Sequence, residues 1–125
     1  AQLSDEGGVD PTFGTVTWRT LVSGDRDPSS GLVAGVAQFG PGGTLNPHRH
    51  APPEIYFGLS GDGIVTIDGV PHAIAPGVAV YLPGESEHGV VAGPQGLSFF
   101  YTFPVDRFDQ VDYRFAAQAL PAATG

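Results

Sequence analysis

Three histidines and one carboxylate in this chain have the types and spacing to do chemistry together: His48, His50, Glu54 and His88. Residues two apart in an extended strand project from the same face, so His48 and His50 point together while Arg49 points away. Glu54 lies just past the Ala51-Pro52-Pro53 bend, at the head of the next apolar run, where it can bring a carboxylate to the same centre. His88 arrives from far along the chain. Three imidazoles and a carboxylate are hard or borderline ligands that suit one divalent transition metal, with positions left open for substrate or water. Fe, Mn, Ni, Co and Zn all fit, and the ligand types do not rank them. Tyr56 lies two residues beyond Glu54 and shares its face. A divalent cation nearby eases a phenol from its free pKa of about 10 toward phenolate, which makes Tyr56 a candidate base. The fourth histidine, His72, follows the Asp68-Gly69 turn and is expected at the surface.

Strands must position these residues, because the apolar runs are short, alternating and bounded by Gly and Pro. The runs are Thr15 to Val22, Leu32 to Phe39, Leu45 to His50, Glu54 to Ser60, Ile64 to Ile67, Val70 to Ile74, Val78 to Leu82, His88 to Val91 and Leu97 to Phe103. Gly61-Asp62-Gly63 reads as a tight turn between two of them, and Asp68-Gly69 as a two-residue hairpin. No helix is evident before Pro104. The tail from Asp106 to Leu120 reads either as a last strand or as a short helix near Ala116 to Ala119, and residues 1–11, polar and acidic, as a loose arm. This many short strands in 125 residues point to one all-β domain over residues 12–125, most simply a jelly-roll barrel.

Composition removes other chemistries. The chain has no Cys, which excludes disulfides, thiolate metal sites and cysteine nucleophiles. Its five basic residues are all Arg, so there is no lysine for a Schiff base or a phosphate loop. A formal charge of −8 argues against nucleic acid and anionic lipid as partners. No apolar stretch is long enough for a membrane-spanning helix and no signal peptide is evident, so a cytoplasmic setting is the expectation.

The spacings resemble the cupin superfamily. Its first motif is matched by Gly42, His48-Arg49-His50, Glu54 and Gly61, and its second by Gly77, Pro83 and His88. Gly84 directly follows Pro83 instead of standing one place later, and Ala92 stands where the family often has Asn; neither position is a ligand. The two motifs span 42–61 and 77–92, and the resemblance implies a single-domain cupin jelly-roll barrel with the metal inside.

A narrower likeness lies in Ser29-Ser30-Gly31-Leu32, the string from His48 to Tyr56, and Phe103-Pro104-Val105-Asp106-Arg107-Phe108 with Tyr113. From about Trp18 to Phe115 the chain looks like the small single-domain cupin lyases that cleave dimethylsulfoniopropionate. That resemblance implies metal ligands at His48, His50, Glu54 and His88, a catalytic tyrosine at Tyr56, a pocket tyrosine at Tyr113, and β-elimination to dimethyl sulfide and acrylate. The partner is then a small-molecule carboxylate whose sulfonium end prefers aromatic faces, for which Trp18, Phe99, Tyr101 and Tyr113 are candidates. Cupins host many chemistries. An Fe or Ni dioxygenase, a metal-dependent isomerase and a non-catalytic small-molecule binding cupin use the same ligands and stay open as alternatives. A homodimer is expected from the family.

Overall fold

The computed structural model describes residues 5–8 and 10–115. Nine strands run through them: β1 (Glu6–Gly7), β2 (Thr17–Val22), β3 (Val33–Phe39), β4 (Thr44–Arg49), β5 (Glu54–Ile67), β6 (Val70–Ile74), β7 (Ala79–Leu82), β8 (His88–Phe103) and β9 (Arg114–Phe115). The helical content among the described residues is one 3₁₀ turn, Phe108–Gln110. None of it is long and apolar enough to cross a membrane.

All nine strands belong to one antiparallel sheet, which curls into the nearly all-β barrel that the strand pattern predicts. Its spine is the pair β5 and β8, in register from Ile55 opposite Thr102 to Ile67 opposite His88. On the far edge of β8, β3 pairs with the Leu97–Phe103 half and β4 with the His88–Val91 half. Strands β6 and β7 extend β5, β2 and β1 extend β3, and β9 extends β4.

Period-two alternation decides which side chains face inward. Along β5, Glu54 and Tyr56 are buried while Ile55 and Phe57 are exposed; along β8, Leu97, Phe99, Tyr101 and Phe103 are all buried. The core therefore draws most of its large rings from two strands that are neighbours in the sheet, with Phe39 of β3 packed beside them.

The structure revises the sequence reading at several points. Gly61-Asp62-Gly63 is not a turn: β5 runs unbroken from Glu54 to Ile67, with its register to β8 shifting between Gly58 and Ser60 and again between Gly61 and Gly63. Likewise His88 to Val91 and Leu97 to Phe103 are one strand, whose extra residues between Ala92 and Leu97 are taken up by the second shift. Gly and Asp mark a β-bulge as readily as a turn, and here they bend a continuous strand. The run expected to reach His50 is β4, which ends at Arg49 and leaves His50 just beyond it. The tail resolves to the 3₁₀ turn followed by β9, with Ala116 to Ala119 outside the described residues. The segment expected as an arm supplies β1, and its Asp5 and Glu6 reach Arg19 at 2.6 Å and Arg26 at 2.9 Å.

Gly61 has a positive φ of 67°, and a side chain there would run into the Gly96 carbonyl across the bend. Replacing it with Ala is expected to destabilise the barrel by about 1–3 kcal/mol, since both the backbone angle and the space favour glycine. Urea unfolding of Gly61→Ala against the parent checks this, and an unchanged midpoint would show that the bend accepts a side chain.

Candidate metal centre

The site gathers where β4 ends, β5 begins and β8 begins. His48 sits opposite His88 in the β4–β8 ladder, His50 follows β4 after one outward residue, and Glu54 opens β5 beyond the two prolines. All four side chains are at most 5% exposed, while Arg49 between the two histidines faces solvent. The ring centroids of His48 and His88 are 4.3 Å apart, those of His50 and His88 5.0 Å, and those of His48 and His50 5.6 Å.

Each imidazole is pinned by its own neighbourhood. Nδ1 of His48 lies 2.8 Å from the Asn46 carbonyl, Nδ1 of His50 2.9 Å from that of Pro52, and Nδ1 of His88 3.0 Å from that of Ser86. A carbonyl only accepts, so each Nδ1 carries the proton and each Nε2 presents a lone pair. This is the outer-shell arrangement that fixes tautomer and ring orientation in metal-ligating histidines. Nε2 of both His50 and His88 is buried without a hydrogen-bond partner, although Glu54 Oε1 stands 3.2 Å from the first and 3.6 Å from the second. Lone pairs facing a carboxylate in a dry interior are unfavourable unless a cation sits among them. The ligand atoms of His48, His50 and His88 lie within 4.8 Å of one another, and the three together could hold a metal ion.

The protonation states suit that role. Burial, reinforced by the closeness of a second imidazole, pushes His48 down to about 3, so it stays neutral. For Glu54 burial works against ionisation, but the contacts from His50 and His88 outweigh it and leave the carboxyl below its usual range. Neutral imidazoles and an ionised carboxylate are the forms in which such groups ligate.

Above the cluster lies a small cavity of ≈ 40 Å³. His48, Glu54 and Tyr56 line it, and so do Trp18, Phe99, Tyr101 and Tyr113, the four residues singled out as aromatic candidates. Tyr56 is stacked on Phe99 at 4.1 Å between centroids, with its ring 6.2 Å from that of His88. Burial first, and then the Glu54 charge, push the Tyr56 phenol well above its ordinary value. Tyr101 lies over Gly35, with its hydroxyl set close against that glycine. His72 is exposed on β6, opposite Val65, and is not among the residues that cluster. Two lining rings, Phe13 and Phe108, were not picked out as site candidates. Neither belongs to a strand, so no alternation marks them.

The match to the cupin domain model covers residues 35–101, more than half of the chain. The chain belongs to the cupin family. This cupin is 58% identical over 113 residues to the dimethylsulfoniopropionate lyase DddW of Ruegeria pomeroyi, an alignment that covers 90% of the chain and 74% of that protein. Among solved structures it is similar to the polyketide cyclase RemF from Streptomyces resistomycificus, with a TM-score of 0.78 at 24% identity over 92% of this chain and 80% of the other. It is also similar to a structure from the pair of dimethylsulfoniopropionate lyases RdDddP and RnDddQII, with a TM-score of 0.74 at 16% identity over 92% of this chain and 63% of that one. At such identities the structural likenesses speak for the cupin fold alone.

Two outcomes are expected. His48→Ala, His50→Ala and His88→Ala should each lose bound metal on dialysis, measured as metal per chain by elemental analysis, because the remaining ligands hold a divalent ion poorly. Retained stoichiometric metal in all three would overturn the assignment. In metal-free protein the unfolded chain protonates His48 near its ordinary 6.5, whereas the folded chain resists until about 3. The unfolded state therefore binds more protons in that window, so stability is present above pH 6.5 and is lost as the pH falls toward 3. The urea midpoint should drop on acidification from neutral pH, and His48→Gln should flatten that slope; an unaltered slope would show that His48 does not control it.

Proposed function

We propose that this cupin is a metal-dependent lyase that cleaves dimethylsulfoniopropionate to dimethyl sulfide and acrylate. The observation that carries this reading is the 58% identity to DddW over 90% of the chain. The buried cluster at the floor of an aromatic cavity supports it, since the substrate has an anionic carboxylate at one end and a sulfonium at the other.

In this reading His48, His50, Glu54 and His88 hold one divalent transition metal, with Fe, Mn, Ni, Co and Zn all compatible with the donors. When bound, the metal supplies Lewis-acid stabilisation of the negative charge that builds on the substrate carboxylate. Tyr56 takes the proton from the carbon next to the carboxylate. The electron pair released forms the carbon–carbon double bond, the carbon–sulfur bond breaks, and its electrons leave with sulfur as neutral dimethyl sulfide. A phenol raised by burial and by Glu54 is a weak acid, so this role requires positive charge nearby to favour phenolate. Trp18, Phe99, Tyr101 and Tyr113 exclude water and face the sulfonium. The exposed apolar residues Ile55, Phe57 and Tyr81, close together on one sheet face, support the homodimer expected from the family. The cytoplasmic setting stays an expectation from the sequence.

The test is oxygen-free incubation with dimethylsulfoniopropionate after loading each metal separately, with dimethyl sulfide measured by gas chromatography. Metal-dependent release is expected, which a dioxygenase would not give without oxygen. Tyr56→Phe should then lower turnover by about 10²-fold or more at unchanged metal content, the range for loss of a general base. Full turnover in that variant would make Tyr56 the wrong base.

A further inference from the structure

Two arginines stand opposite each other where the last described strand joins the barrel. Arg49 and Arg114 are cross-strand partners in the β4–β9 ladder, next to His48 opposite Phe115. Both are exposed, and like charges directly opposite each other push two strands apart. With two residues, β9 has little ladder of its own to resist this. Its docking bears on the histidine cluster. The Phe115 ring lies 5.2 Å from that of His48 between centroids, and Tyr113, just before β9, lies 5.1 Å from His48 and 5.3 Å from His50. These rings help to hold the histidines at 1% exposure.

One residue answers both arginines. The Glu85 carboxylate pairs with the Arg114 guanidinium, and the Glu85 carbonyl accepts a bond from Arg49 Nη1 at 3.1 Å. Glu87 stands 3.9 Å from Arg49, which leaves Glu85 as the one described residue bonded to both. Glu85 has a left-handed backbone, φ 64°, an angle that suits glycine and costs other residues. In the second cupin motif the glycine stands one place beyond Gly84, so this chain puts a carboxylate where that glycine would be. In this conformation the Glu85 amide donates to the His50 carbonyl at 2.8 Å, and the next carbonyl, that of Ser86, holds Nδ1 of His88 at 3.0 Å. Glu85 thus joins the loop before His88, the end of β4 and β9.

We propose that Glu85 is a positioning residue: by bridging Arg49 and Arg114 it clasps β9 onto β4, and through the Tyr113 and Phe115 rings it closes the histidine cluster against solvent and slows the escape of its metal. The Glu85 and Arg114 side chains are about half exposed, so the clasp is modest in strength and weakened by salt. It rests on the metal centre described above and is independent of the lyase reading.

Glu85→Gln removes the charge and keeps the backbone angle, whereas Glu85→Gly removes the carboxylate and frees the backbone. Hydrogen exchange of the full metal-free chain reads the clasp directly. Amides of residues 111–115 should exchange about 2- to 5-fold faster in both variants while those of β5 and β8 keep the parent's rates, and about 0.5 M NaCl should bring the parent to the variants' rate. After loading with Co(II), both variants should lose cobalt to EDTA faster than the parent by a similar factor, and the difference should vanish in the same salt. Unchanged exchange at 111–115 in both variants would overturn the proposal. So would faster exchange spread equally over β5 and β8, the mark of a general loss of stability. Cobalt loss at the parent's rate from a looser β9 would overturn the closing role. If the parent holds no cobalt, the metal centre fails, and the exchange rates still decide the clasp.

Discussion

Four polar side chains buried within a few ångströms of one another are the most demanding feature of this barrel. Imidazole nitrogens and a carboxylate shut away from water are costly unless every lone pair and proton has a partner. The chain meets half of that demand itself, through the carbonyls of Asn46, Pro52 and Ser86, each two residues from the histidine it holds. These local bonds make ring orientation a property of short stretches of backbone. The other half, the Nε2 lone pairs beside Glu54, is left for a cation, and this sets what the surrounding sheet must do.

What the sheet must do is bring three strand ends to one place and hold them there. In the sheet β4 delivers His48 directly opposite His88, whereas Glu54 opens β5 at the far end of the antiparallel spine, so the curl of the sheet is what brings its carboxylate within 3.6 Å of His88. Long paired strands around a closed interior cannot stay straight. The bulges at Gly58, Gly61 and Gly63 let β5 follow the curve while staying paired to β8, at positions where a side chain would meet backbone carbonyls from Ala75, Gly96 or Val91. Strand bending and the placement of the histidine cluster are thus one problem, in which glycines outside the cluster let the strands curve while they stay paired.

The same physics explains what was legible in the sequence. Alternation reveals facing, so the projection of His48 and His50 together, the burial of Glu54 with Tyr56, and the inward rows of β8 could be read from residue order alone. Gly61-Asp62-Gly63 could not, because whether glycine and aspartate end a strand or bend it depends on a partner strand that lies about thirty residues away in sequence, at Ala92 to Leu97. Phe13 and Phe108 were invisible for a related reason. They belong to connections whose position follows from docking, not periodicity: the Phe13 backbone accepts a bond from the Asn46 amide, and the Phe108 amide donates to the Ser23 hydroxyl. Such contacts span more than thirty residues each and leave no local pattern.

Charge gives the last constraint. Every arginine in the chain is already paired at the surface: Arg19 with Asp5, Arg26 with Glu6, Arg49 with Glu87, Arg107 with Asp109 and Arg114 with Glu85. There is no lysine, and the formal charge is −8. The cavity therefore has no side-chain cation to receive a carboxylate, and Glu54 alone would repel one. A divalent ion among the three histidines turns that floor from negative to net positive, while the aromatic upper wall remains suited to positive charge. The result is a cavity of two signs a few ångströms apart, complementary to a small zwitterion and to neither a simple anion nor a simple cation. The metal would then be needed for binding before any chemistry begins, and an acidic chain with no free basic side chain would owe its affinity for a carboxylate to that ion.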